Sequence, residues 1–118
     1  MNQLSLKGSQ MKMARVILFT GRMDAMSKFY GEVLGLKQIT HEKGWQEFDA
    51  GGARIALHSG PSSPGCKGPK IVFHAKDVAA LREKLLERGA KFGKVRDSEF
   101  CLCDGKDPDG NPIQLSNR

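Results

Sequence analysis

Four polar side chains interrupt or border strand-like apolar runs: Arg15 before Val16, Lys70 before Ile71, His74 after Phe73, and Gln114 between Ile113 and Leu115. Side chains alternate faces along a strand. Val16, Leu18, Ile71, Phe73, Ile113 and Leu115 therefore claim a buried face, and Arg15, Lys70, His74 and Gln114 take the other. Arginine and lysine hold a carboxylate or phosphate through charge-assisted hydrogen bonds, arginine in bidentate fashion. His74 and Gln114 can add hydrogen bonds to the same molecule. A small anion is the ligand this set suits. The competing reading is that the stems of Arg15 and Lys70 snorkel to a rim, where the charged ends pair with Glu47 or Asp49 and line nothing.

Other chemistry has less support. His58 and His74 carry imidazoles able to ligate a transition metal, but Glu47 and Gln114 are the only further ligands in view. Phe19, Trp45 and Phe48 are the aromatics nearest these residues. Trp45 and Phe19 could wall a ligand, or pack in a core or dimer contact. Cys66, Cys101 and Cys103 form neither a redox pair nor a zinc framework. Cys101 and Cys103 are two apart, on one strand face, and read as buried or partly buried free thiols. The serines of residues 59–63 have no base-and-acid pattern beside them, so a hydrolase triad is not indicated.

The elements that must position these residues come from one domain's worth of chain. The 118 residues, 39% hydrophobic and 27% charged, have a folded protein's composition rather than a disordered one's. The longest apolar run is too short for a membrane span, and the first twelve residues have no apolar signal segment, which predicts a soluble cytoplasmic protein. The net charge of +6 raises nucleic acid as a partner. Its basic residues are scattered, with Arg82, Lys84, Arg88, Lys91 and Lys94 read as a solvated helix and its exit. No nucleic-acid or membrane partner is expected.

The chain reads twice. Residues 1–12 look like an extension, with Met11 and Met13 as alternative starts, and residues 13–118 form a single domain. Residues 15–20 read as a strand, and Met26, Phe29, Tyr30, Val33 and Leu34 as one helical face, capped near Asp24 and stopped by Gly35. Strand-like segments follow at residues 37–41, 45–49 and 54–58, the last two joined across Gly51-Gly52. A Gly/Pro/Ser-rich loop near residues 60–68 leads to a second round. It has a strand at 70–76, a helix capped by Asp77 that buries Val78, Leu81, Leu85 and Leu86 and ends at Gly89, and strands at 91–95, 100–104 and 112–117. Two βαβββ modules, about 13–60 and 69–117, thus repeat at an offset of roughly 55 residues. An α+β fold is predicted, in which the two halves pack together to bury their apolar faces.

Within this order, Ser27-Lys28-Phe29-Tyr30-Gly31-Glu32-Val33-Leu34-Gly35-Leu36 and Asp107-Pro108-Asp109-Gly110-Asn111-Pro112-Ile113-Gln114-Leu115 resemble two recurrent motifs of the vicinal-oxygen-chelate superfamily (glyoxalase/bleomycin resistance protein/dioxygenase). The resemblance covers about residues 14–117. It implies sheets that curl into an incomplete barrel around a cavity, helices outside. It also implies that many small relatives pair, which predicts a homodimer.

Relatives with metal chemistry hold a divalent ion with His, Glu or Gln on the first and last strands of each module. Matching the motifs puts those positions at Arg15, Ala56, Lys70 and Gln114. Arginine cannot ligate, alanine has no donor, and protonated lysine repels a cation. The expectation is therefore a protein that binds a small, anionic molecule in its cavity through Arg15, Phe19, Trp45, Lys70, His74 and Gln114, with no metal ligands and no cofactor. The alternative is a metal-dependent lyase, isomerase or dioxygenase of the same superfamily.

Overall fold

The computed structural model describes residues 13–61 and 70–118. The N-terminal extension, Cys66 and most of the loop near residues 60–68 lie outside them.

Two four-stranded sheets repeat one topology. The first contains β1 (Arg15–Thr20), β2 (Gln38–Glu42), β3 (Trp45–Asp49) and β4 (Arg54–Ser59), in the order β1-β4-β3-β2. The second contains β5 (Ile71–His74), β6 (Arg96–Asp97), β7 (Cys101–Lys106) and β8 (Pro112–Ser116), in the order β5-β8-β7-β6. In each, the first strand runs parallel to the last and the other pairs are antiparallel. Neither sheet closes into a barrel, and the predicted α+β class holds. No helix among the described residues is long and apolar enough to cross a membrane.

The predicted first helix divides. An α-helical part, α1 (Met23–Lys28), continues as a π-helical turn over Phe29–Val33, where Leu34 N–H reaches back to the Phe29 carbonyl. Gly31 sits in that turn against Phe48, where a Cβ would lie 3.0 Å from the ring. Asp24 does not cap: Arg22 holds the N-cap position with no side-chain bond, and Asp24 falls in the first turn. The Thr20 hydroxyl instead accepts from Arg22 N–H. Gly35 ends the segment at a φ of 75°, as its position predicts.

The second helix, α2 (Val78–Glu87), is regular. The Asp77 carboxylate accepts from Ala80 N–H at its start. The predicted strand at residues 91–95 does not form. Phe92 makes one isolated bridge to Gly105, and β6 begins at Arg96. Arg82 explains the difference. It is not part of a solvated face, because its guanidinium donates to the carbonyls of Phe92 and Gly93 and so occupies acceptors a longer strand would use.

One apolar core spans both halves, with Met26, Phe29, Tyr30, Ile55 and Leu57 from the first and Val78, Leu85, Ile113 and Leu115 from the second. The two motifs that suggested the family meet in it. The Tyr30 hydroxyl donates to Asp107 Oδ2 at 2.7 Å, and burial first, then the Asp107 charge, pushes the phenol pKa far up, so it stays a donor. Asp107 Oδ1 also accepts from the backbone N–H groups of Asp109 and Asn111, which closes the tight turn before β8. Arg22 completes the joint, bonding Asp109 Oδ1 at 3.1 Å and the Pro108 carbonyl.

Candidate functional site

Each sheet buries one face against the helices and leaves the other open. On β1, Leu18 joins the core while Ile17 and Phe19 are 43% and 51% exposed. On β5, Ile71 and Phe73 pack inward and Val72 is 50% exposed. This is the register the apolar alternation predicts, and it puts Arg15, Phe19, Trp45, Lys70, His74 and Gln114 on strand positions of the open faces.

Register makes the two open faces comparable residue by residue. In the first sheet Ile17, Ala56 and Glu47 stand abreast on β1, β4 and β3. In the second, Val72, Gln114 and Asp104 stand abreast on β5, β8 and β7. Glu47 and Asp104 are thus equivalent, as are Ala56 and Gln114. Arg15 and Lys70 each lie two residues before the row, on the same face.

Both equivalent cations hold the equivalent carboxylate. Arg15 Nε donates to Glu47 Oε1 at 2.9 Å, with Arg54 Nη1 3.6 Å from Oε2. The Arg15 hydrogen bond, opposed by burial, holds the Glu47 carboxyl below its ordinary pKa. Lys70 Nζ and Gln114 Nε2 both donate to Asp104 Oδ1, at 3.0 and 2.9 Å, and Arg96 Nη2 takes Oδ2 at 2.6 Å. Burial acts to raise the Asp104 pKa, but the hydrogen bonds from Gln114 and Lys70 and the charges of Lys70 and Arg96 outweigh it and leave it lowered. The pairing foreseen for Arg15 with Glu47 is present. Lys70 pairs with neither Glu47 nor Asp49 but with Asp104 of its own sheet. Each cluster carries two cations on one carboxylate, so one positive charge is uncompensated within each cluster.

The far end of the first open face is aromatic. The rings of Phe19 and Trp45 flank His58 at centroid distances of 5.1 and 5.7 Å, Trp45 edge-on. His58 Nδ1 lies 2.7 Å from the Ser59 carbonyl, which accepts a hydrogen bond from a proton on Nδ1. Four residues of extended chain, about 13 Å, separate this end from Arg15.

The structure therefore joins Lys70 with Gln114, and Phe19 with Trp45, and places Arg15 on the same face as the aromatic pair. His74 is exposed and has no hydrogen bond or ion pair among the described residues; it stands beside Ser116 in register. No ion pair or hydrogen bond links Arg15 to Lys70 among the described residues. The halves instead approach along a groove of about 340 Å³ lined by Val16, Ile55, Val72 and Phe73 with Arg54 and Lys70.

Alternation in the sequence places Arg54 on this face, opposite Ile55 and Leu57, but not its pairing with Glu47, and sequence reasoning missed Arg96 and Asp104. The same alternation could have placed Asp104, but no local pattern brings Arg96 to Asp104. Among the described residues no three His, Cys, Asp or Glu side chains gather as a metal site needs. Cys101 and Cys103 are free, and their thiols are pushed up in pKa, Cys101 by its contact with Asp97 and Cys103 by burial. Neither is an activated thiolate nucleophile.

Comparison with known proteins accords with this architecture. A crystal structure described as a glyoxalase/bleomycin resistance protein/dioxygenase from Nocardioides superposes with a TM-score of 0.79 at 17% identity, covering 94% of this chain and 85% of that one. TnmS3, an antibiotic binding protein from Streptomyces sp. CB03234, gives 0.78 at 20% identity over 95% and 98% of the two chains. Lactoylglutathione lyase from Agrobacterium tumefaciens gives 0.74 at 18% identity over 93% and 95%. A sequence search of curated proteins gives no match. Residues 12–115 match the family model for the Glyoxalase/Bleomycin resistance protein/Dioxygenase superfamily. With that match spanning both modules, and with the Tyr30 and Asp107 motifs bonded to each other across them, the chain belongs to the glyoxalase/bleomycin resistance protein/dioxygenase superfamily.

Proposed function

We propose that the protein binds a small organic anion on its open sheet faces, without a catalytic metal. The observation that carries this reading is the duplicated cation–carboxylate pair, Arg15 with Glu47 and Lys70 with Asp104. Two positions at which the resemblance expects metal ligands hold cations instead, and a third, Ala56, has no donor. Gln114, the fourth, gives its amide nitrogen to Asp104. The donor set does not fit a divalent ion: it would meet repulsion from Arg15 or Lys70, and the neighbouring carboxylates Glu47 and Asp104 each already face two cations.

An anion meets the opposite situation. Each cluster has a surplus positive charge, and Arg54 and Arg96 are 44% and 66% exposed at their side chains. Phe19 and Trp45 offer an apolar wall on the same face as Arg15 and Arg54, which suits an aromatic or amphipathic anion. One solved structure of this fold is described as an antibiotic binding protein, so the fold accommodates binding as an end in itself. In this reading the protein is cytoplasmic and a homodimer, because β1 and β5 each pair with one neighbour and leave an edge for a second copy to cover.

Trp45 is the sole tryptophan and stands on the same open face as Arg15 and Arg54. Titration with benzoate in the presence of a chelator is expected to change its fluorescence saturably. A response that requires added zinc, nickel, iron or manganese, bound one per chain, supports the metal-dependent lyase, isomerase or dioxygenase instead.

A further inference from the structure

The first open face is graded along its strands. Its outermost row is Asp49, Arg54 and Arg15, in register across β3, β4 and β1. The next row on the same face is Glu47, Ala56 and Ile17, and the last is Trp45, His58 and Phe19. Charge, a short apolar interval and aromatic rings therefore follow one another in that order. The equivalent last row of the second face, Leu102, Ser116 and His74, carries no Phe, Tyr or Trp.

The grading has a length. Arg15 Nε and Arg54 Nη1 both reach forward to the Glu47 carboxylate, at 2.9 and 3.6 Å, so the cations act from the level of the middle row. Two residues of extended strand, about 7 Å, separate that level from the aromatic row. Along β1 and β4 the interval is lined by the half-exposed Ile17 and by the buried Ala56, which projects little.

The aromatic row is held in place. A Cβ on Gly60 would lie 3.3 Å from Phe19 Cδ1, so that ring rests against the chain at Gly60. The His58 ring is tethered to the Ser59 carbonyl and sits between Phe19 and Trp45. Phe19 nonetheless leaves half its surface in water, and Ile17, two residues before it on the same face, nearly as much. Adjoining apolar side chains exposed at a fixed step from surplus positive charge mark a contact surface for something amphipathic. A second copy docked face to face would bring the same surplus charge against it, which favours a small ligand.

We propose that this face selects an aryl-alkyl anion, with a flat ring carried about three carbons from its carboxylate. The carboxylate meets Arg15 and Arg54, the spacer lies over Ile17 and Ala56, and the ring packs against Phe19 and His58. The proposal rests on anion binding at this face and adds the shape of the anion. Benzoate, with its carboxylate directly on its ring, is held by the same cations but stops short of the aromatic row.

The test is calorimetric titration in a chelator with benzoate, with phenylbutanoate and phenylhexanoate bearing the ring at the chain end, and with octanoate. Phenylbutanoate should bind about tenfold tighter than benzoate, from partial burial of its methylenes and the added ring contact. Phenylhexanoate should gain nothing further, and octanoate, of similar reach but without a ring, should bind more weakly than phenylbutanoate. Phe19→Ala should remove the advantage of phenylbutanoate over benzoate; should that variant fail to fold, the wild-type series decides alone. Benzoate bound with phenylbutanoate no tighter, or affinity that climbs with carbon count whatever the end group, would overturn this proposal and leave anion binding standing. An advantage that persists in folded Phe19→Ala would overturn it too. Failure of all four to bind would instead remove anion binding itself, and this proposal with it.

Discussion

The two open faces carry the same charge pair on different supports. In the first half the carboxylate is nearly enclosed, its side chain 7% exposed, between two arginines. In the second it is 38% exposed and shared by a lysine, an arginine and the Gln114 amide. The first adds the Phe19 and Trp45 rings around His58 along the same face. Duplication thus preserved the charge arrangement while burial and apolar surface diverged. On the proposed reading, the first face suits a ligand with an apolar body and the second contributes charge.

The strongest break of the comparison is at the joint between the halves. Asp107→Ala removes the acceptor for Tyr30, for two backbone N–H groups and for the Asn111 side chain. Leaving those donors buried and unpaired should cost roughly 3–5 kcal/mol in urea unfolding. Tyr30→Phe removes one of the bonds and should cost about 1.5–3 kcal/mol.

The helix-ending glycines offer a finer contrast. Gly35 and Gly89 both have positive φ, but a Cβ at Gly35 would lie 3.2 Å from Arg88 Nη1, whereas Gly89 faces open space. Alanine at either should cost about 1–2 kcal/mol from backbone strain alone, with Gly35→Ala the larger loss.

Glu47 competes with any anion for Arg15 and Arg54. Glu47→Gln should therefore tighten benzoate binding about fivefold, close to 1 kcal/mol, and Asp104→Asn should do so less because Asp104 is more hydrated. The same carboxylates set the acid limit of stability. Their folded pKa values lie below the ordinary carboxylate range, so their contribution is complete above the unfolded values near pH 4 and is lost as pH falls through the folded ones. Thermal scans from about pH 5 to 3 should show the decline, and it should be flatter in Glu47→Gln.

Much of this was legible in the chain. The duplicated order and the strand faces followed from apolar alternation, because one slipped residue would expose Leu57, Ile113 and Leu115. Asp77 and Gly89 marked their helix ends because capping is local chemistry. The π-helical turn had no such signal, since Met26, Phe29 and Tyr30 fit ordinary helical spacing equally well. Residues 91–95 read as a strand until Arg82, ten residues upstream, took the carbonyls of Phe92 and Gly93. The family resemblance located Arg15, Lys70 and Gln114. Asp104 was within reach of the same alternation, whereas Arg96 comes to it only through the β6–β7 register, which local sequence does not encode.

The central claim is that fixed cations, rather than a metal, hold the ligand. Calorimetric titration of benzoate in a chelator, comparing the wild type with Arg15→Ala plus Lys70→Ala, tests it most directly. Each face loses one charge-assisted hydrogen bond worth about 1.5–3 kcal/mol, so the predicted loss is about tenfold or more in affinity at each. The wild type should bind with the chelator present, and the variant, though less stable for want of the Arg15 and Lys70 pairings, should remain folded at the titration temperature. Equal binding by the double variant, or wild-type binding that appears only when a divalent metal is restored, would contradict the account.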